Sequence, residues 1–142
     1  MPVTERVGLS RKILRTVSAL LIVTMVVIVL LYGALCLALY FRQDSYVYFP
    51  SGSVNMTPDM LNVPFENVRL ETEDGETLAA WYTPGKEAGP DTATVIFCHG
   101  NAGNIGDRAV TVQTLHGIGF NVLMFDYRGY GNSTGTPSEE GT

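Results

Sequence analysis

The side chains best suited to chemistry gather in two glycine-rich stretches of this sequence. The first reads His99-Gly100-Asn101-Ala102-Gly103-Asn104, and the second runs from Asp126-Tyr127-Arg128-Gly129-Tyr130-Gly131 into Asn132-Ser133-Thr134-Gly135. Glycines let the backbone approach a ligand closely and reach positive φ, and a loop of this kind after a buried strand and before a helix lies where ligands of open α/β sheets gather. Residues 131–135 also match Gly-x-Ser-x-Gly, the pattern of a serine nucleophile on a sharp turn between a strand and a helix. The surroundings of Ser133 do not fit such a turn, because loop residues separate Gly131 from the apolar run that ends at Phe125, and Gly135-Thr136-Pro137 follows. His99 precedes its turn, at a strand end, and reads as structural; His116 reads as a partly exposed helix-end residue.

Positioning these loops falls to a short alternation of strands and helix. Val95-Ile96-Phe97-Cys98 closes a β-forming run that begins at Thr92, and Val122-Leu123-Met124-Phe125 repeats the pattern, each continuously apolar as in strands covered on both faces. Between them Ile105, Ala109, Val112 and Leu115 recur at helical spacing, with Asn104 or Asp107 as the cap and Gly117 with Gly119 as the stop. The unit is βαβ, hence parallel and right-handed. Upstream, Val68, Leu70 and Thr72 alternate with charged residues before Asp74-Gly75, then Leu78, Ala80 and Tyr82 alternate again, which predicts a hairpin with a type I′ turn. Two doubly apolar strands require helices on both sides of the sheet, and one helix is available. Pro137-Ser138 reads as the opening of another helix just before Thr142. The expectation is an N-terminal fragment of a larger α/β protein.

Ahead of this domain the chain changes character. Residues 17–40 hold 14 Leu, Ile or Val and no charged side chain. As a helix they reach about 36 Å, enough for the roughly 30 Å hydrocarbon core of a bilayer with a modest tilt. This predicts a transmembrane helix over 17–41, a signal-anchor rather than a cleaved signal peptide, because the run is long and ends Leu-Ala-Leu-Tyr without a small-x-small site. Arg6, Arg11, Lys12 and Arg15 precede it, whereas Arg42 is the only cation soon after. Residues 1–16 are therefore expected to be a basic cytoplasmic tail, with the C-terminal domain outside, whether periplasmic, extracellular or luminal. Residues 42–65, with Pro50, Ser51, Gly52, Ser53, Pro58 and Pro64, read as a linker able to pack on the domain.

Beyond residue 41 five Lys or Arg face thirteen Asp or Glu, a net charge of −8. That acidity, without a Lys/Arg cluster, argues against nucleic acid as a partner, since counterion release needs clustered cations. Cys36 and Cys98 are too few for a disulfide framework or a metal cluster.

VIFCHGNAGN at 95–104, followed by NVLMFDYRGYGNSTG at 121–135, resembles the α/β-hydrolase fold, in particular its membrane-anchored, serine-aminopeptidase-like branch. The resemblance covers about residues 46–142 and is carried by the pairing of HGNAGN with DYRGYG at this spacing. It implies an α/β fold in which a transmembrane helix is followed, over 66–142, by the first half of a hydrolase sheet, a hairpin plus βαβ. It implies a serine hydrolase that attacks an ester, thioester or amide carbonyl through an acyl-enzyme, with a small-molecule or acyl substrate and without metal or cofactor. The backbone N–H of Asn101 would be one oxyanion-hole donor, supported by Gly100 and Gly103. His99 would be structural, and Asp126 and Arg128 would brace the loop after the fourth strand of that fold. Its triad runs in the order Ser, acid, His, which Ser133 cannot begin because His99 and His116 both lie upstream. No triad residue is therefore expected in this chain: nucleophile, acid and His are expected beyond Thr142, and the chain alone is expected to be inactive.

Two rivals belong to other classes. Strand, glycine turn, helix and a strand ending in Asp126 imitate a dinucleotide-binding unit, but Gly100, Gly103 and Gly106 read G-x-x-G-x-x-G and lack the close pair that brings backbone to pyrophosphate. The other rival is a non-catalytic, membrane-tethered interaction module, which needs a partner over the uncovered side of its sheet.

Overall fold

The computed structural model of the protein describes residues 3–141; Met1 and Pro2, which open the expected tail, and Thr142, which closes the expected domain, lie outside the described residues. Two units follow one another along the chain, Met1–Gln43 and Asp44–Thr142. The first consists of helix α1, Val3–Val47, whose last residues belong to the second unit. The helix is longer than the 17–41 expected, because the polar flanks continue its hydrogen bonding at both ends. Leu20 and Leu30 are 62% and 66% exposed, as is most of the apolar surface around them. Water would penalise every such side chain, whereas a bilayer covers them, and α1 is the one helix among the described residues long and apolar enough to cross a membrane.

The second unit is built on a four-stranded sheet in the order β2-β3-β6-β4, comprising Glu66–Glu71, Thr77–Thr83, Asn121–Phe125 and Thr94–Cys98. β2 and β3 form the hairpin, β3 runs antiparallel to β6, and β6 runs parallel to β4. Helix α2, Ala109–Gly117, crosses between β4 and β6 after a 3-10 turn over Ile105–Arg108. Asn104 and Asp107, alternative caps by sequence, act together. The Asn104 side chain accepts from Gly106 N while Asp107 Oδ2 accepts from Asn104 N, a reciprocal capping box.

Trp81, Ile105, Ala109, Val112, Val122 and Met124 form the core between α2 and one face of the sheet. The alternation of β3 and β6 sends Trp81, Thr83, Val122 and Met124 to that face. Ile96, which pairs with Leu123 on the opposite face, is 62% exposed. One side of the sheet is thus covered and the other open among the described residues.

One local expectation needs correcting. The hairpin turn is not type I′, which requires positive φ at both central residues. Only Gly75 is positive, at 88°, and the loop is three residues long, closed by Gly75 N to Thr72 O at 3.0 Å and Thr72 N to Glu76 O at 2.9 Å. Asp74 stays out of the left-handed region and accepts hydrogen bonds from Thr72 Oγ1 and Arg128 instead.

Residues 42–65, expected as a linker able to pack on the domain, do pack on it and take regular structure in doing so. They finish α1 and form β1, Phe49–Pro50, which pairs in parallel with β5, Ala102–Gly103. They then make a 3-10 turn over Pro58–Leu61 and set Val54, Leu61 and Phe65 against the core. Phe65 meets Trp81 edge to face at 5.4 Å between ring centroids.

Candidate active site

Both glycine-rich loops leave the same end of the sheet. β4 and β6 are parallel and in register to their last residues, Cys98 opposite Phe125, so His99 and Asp126 emerge side by side at the carboxyl edge where open α/β sheets bind ligands. His99 Nε2 lies 3.2 Å from Asp126 Oδ1, both side chains wholly buried, though without hydrogen-bond alignment. Asp126 Oδ1 accepts from Ile105 N at 2.8 Å, which ties the start of the 3-10 turn to the end of β6. His99 Nδ1 lies 2.6 Å from Gly100 O; a carbonyl only accepts, so Nδ1 carries the hydrogen. Although a His–Asp pair is two thirds of a triad, neither ring nitrogen faces a hydroxyl, and the pair acts on the backbone around it.

Asn101 stands at the exposed crest of the loop. Its side-chain amide donates to Val47 O, and its carbonyl accepts from Phe49 N and from Tyr130 Oη, each at 2.8 Å. Gly103 has φ +81°, and a Cβ there would meet Asp107 Oδ2 at 2.1 Å, so the capping box requires glycine. Gly100, expected to share that need, lies outside the left-handed region with open space around the position of a Cβ. Its value is room above the turn rather than backbone freedom. A cavity of about 190 Å³ opens beside it, lined by Tyr48, His99, Asn101, Tyr127 and Tyr130.

The second loop braces the first. Tyr127 Oη donates to His99 O at 2.9 Å. Arg128 turns the other way, clasping Asp74 of the hairpin with two hydrogen bonds of 2.6 and 2.8 Å. The Thr72 hydroxyl, with Arg128 beyond it, holds the Asp74 carboxyl below its ordinary range. Burial pushes both Tyr127 and Tyr130 above the ordinary phenol value, so their hydroxyls keep their hydrogens. Ser133 is fully engaged: Oγ donates to Asp126 O at 2.8 Å and accepts from Ala79 N at 2.9 Å. The hydroxyl clamps the end of β6 to β3 and has no base beside it. His116 donates from Nδ1 to Pro84 O and so ties the end of α2 to the loop after β3. Sequence reasoning missed Tyr127 and Tyr130, whose partners are carbonyls of another loop.

A hairpin, a parallel crossover and an HGN turn at the strand edge define the opening part of an α/β-hydrolase sheet. Comparison with known proteins agrees. An esterase of Pyrococcus furiosus is 30% identical, with a TM-score of 0.53 over 63% of this chain and 34% of that protein. A second crystal form of that esterase gives 32% identity and a TM-score of 0.54. Among curated proteins, an uncharacterised protein of Mycobacterium tuberculosis is 38% identical over 115 residues, 81% of this chain and 41% of its own length. The protein bem46 of Schizosaccharomyces pombe is 38% identical over 109 residues, 72% of this chain and 36% of its own. An uncharacterised membrane protein of Saccharomyces cerevisiae is 38% identical over 108 residues, 72% and 37%. No protein-family model matches the chain. The chain carries the opening part of the α/β-hydrolase fold after a helix long and apolar enough to cross a membrane, and it spans about two fifths of the length of the curated relatives it matches.

Proposed function

We propose that the chain is the anchor and oxyanion-donating part of a membrane-anchored serine hydrolase that cleaves an ester, thioester or amide bond by acyl transfer. In this reading the Asn101 N–H is one of two donors to the tetrahedral intermediate, where a single donor contributes about 10²–10³ in rate. Nucleophile, acid and His come from residues C-terminal to 142, and residues 1–142 alone are inactive. The chemistry asks for no metal or cofactor. Arg6, Arg11, Lys12 and Arg15 hold the N-terminus in the cytoplasm and put the acidic domain on the far side of the membrane. In this reading the tyrosine-lined cavity of about 190 Å³ beside the HGN turn receives the acyl group of the substrate.

The observation that carries the reading is the HGN turn at the carboxyl end of β4, in a chain 30% identical to an esterase. The test uses the full-length protein in detergent micelles, assayed with p-nitrophenyl butyrate and a fluorophosphonate probe. Turnover together with labelling of a serine downstream of residue 142 is expected; turnover without labelling, or neither, refutes the serine mechanism. For orientation, an N-terminal epitope is expected to resist protease added to intact cells while the domain is digested; digestion of the epitope would reverse the assignment.

A further inference from the structure

We propose that His99, Tyr127 and Tyr130 are positioning residues that set the orientation of the oxyanion-hole peptide by each donating to one of three successive carbonyls. The inference rests on the hydrolase reading above. His99 O accepts from Tyr127 Oη at 2.9 Å, Gly100 O from His99 Nδ1 at 2.6 Å, and Asn101 O from Tyr130 Oη at 2.8 Å. None of these peptides is cis, so each N–H points opposite the carbonyl of its own peptide group. Drawing Gly100 O onto the imidazole therefore turns the Asn101 N–H away from the ring. Drawing His99 O and Asn101 O onto the two phenols turns the N–H groups of Gly100 and Ala102 away from those phenols.

Without these donors, a turn containing glycine can flip a peptide at little steric cost and present a carbonyl oxygen where an oxyanion must bind. The three rings restrain one another as well. The His99 centroid lies 4.6 Å from that of Tyr127 and 5.4 Å from that of Tyr130, and the two tyrosines are 5.9 Å apart. Asp126 Oδ1 lies 3.2 Å from Nε2 on the far side of the imidazole, a close approach without hydrogen-bond alignment. DYRGY thus sets the geometry of HGN from the neighbouring strand end.

The experiment measures kcat and KM of the full-length protein with p-nitrophenyl butyrate, using variants whose folding is checked by circular dichroism. Tyr127→Phe and Tyr130→Phe are each expected to lower kcat about tenfold with KM little changed, and His99→Gln about a hundredfold, since a misaimed donor is lost mainly in the transition state. Glutamine keeps a donor near Nε2, toward Asp126, whereas asparagine keeps one near Nδ1, toward Gly100 O. His99→Asn is therefore expected to retain more activity than His99→Gln. The reverse order, in which the Asp126 contact alone matters, overturns the inference, as do phenylalanine variants with unchanged kcat. A wild-type protein that neither turns over the ester nor reacts with fluorophosphonate overturns the hydrolase reading, and the inference falls with it; a loss confined to the variants separates the two.

Discussion

Ser133→Ala asks whether the Gly-x-Ser-x-Gly pattern at 131–135 is a nucleophile or a clamp. The substitution removes one oxygen and leaves the backbone free to keep its path. Asp126 O then loses a donor at 2.8 Å and Ala79 N an acceptor at 2.9 Å, which unfastens the loop after β6 from β3. Two hydrogen bonds at about 1 kcal/mol net each give a loss of about 2 kcal/mol. With a urea slope of about 2 kcal/mol per molar for a domain of this size, the unfolding midpoint falls by about 1 M. Trp81 is the single tryptophan, is buried, and sits two residues from Ala79 on the same strand, so its fluorescence reports this transition directly. The titration is run on the chain in mild detergent, beside fluorophosphonate labelling of the full-length Ser133→Ala protein. A lowered midpoint with labelling intact is expected. An unchanged midpoint with labelling abolished would refute the reasoning and make Ser133 the nucleophile.

Gly131→Ala should be more damaging: φ is +51° and the new Cβ would lie 2.0 Å from Asp126 Oδ2, so left-handed strain and loss of the hydrogen bond from Ile105 N together cost about 2–3 kcal/mol by the same titration. Gly100→Ala meets open space without positive φ, and its stability should stay within about 0.5 kcal/mol of wild type while ester turnover in the full-length protein falls. Asp74 is held below its ordinary 3.8 in the folded state, so its contribution is present above that value and lost as pH falls through the lowered one. Asp74→Asn should flatten the acid limb of the stability–pH curve, and salt should shrink the difference because the pair is exposed. Tyr127 and Tyr130 have the opposite sign: burial raises both above 10.0, so stability is full below that pH and declines as pH rises through the raised values, and Tyr127→Phe should lessen the alkaline decline.

What was legible in the sequence was whatever is encoded locally. The apolar runs 95–98 and 122–125 announce strands, Asn104 and Asp107 announce a capped start, and 24 residues without charge announce a long apolar helix. The HGN turn was legible as well, because a glycine-rich loop after a buried strand has one habitual place in such sheets. The hairpin turn was misread because Asp-Gly serves both a two-residue I′ turn and a three-residue loop with one left-handed glycine, and the Thr72 hydroxyl, bonded to Asp74 and to Glu76, belongs to the second. The His99–Asp126 pair had a signal that could have found it: two parallel strands of equal length, each followed at once by a polar residue, place those residues side by side. Tyr127 and Tyr130 had none, since a tyrosine does not reveal that its partner is a neighbouring carbonyl.

The lead-in segment was the hardest part to read, and its role follows from where its contacts go. Val54, Pro58, Leu61, Val63 and Phe65 bury apolar surface one residue at a time, with no period to announce them. Their polar neighbours reach the site itself: Phe49 N donates to Asn101 O, Ser51 N to Gly103 O and Gly131 N to Ser51 O, while Asn104 Nδ2 donates to Ser51 O and Ser53 O. Five hydrogen bonds at about 1 kcal/mol each already match the lower end of the roughly 5–15 kcal/mol that holds a domain together. The protein lacking residues 1–43 should therefore retain a cooperative urea transition and a buried Trp81, and the protein lacking residues 1–65 should lose both, because Phe65 no longer covers the indole and the HGN loop has lost its outer strand. Equal midpoints for the two shortened proteins would show that 44–65 is a passive tether. A transition only in the longer one makes the segment that leaves α1 a structural wall of the HGN loop.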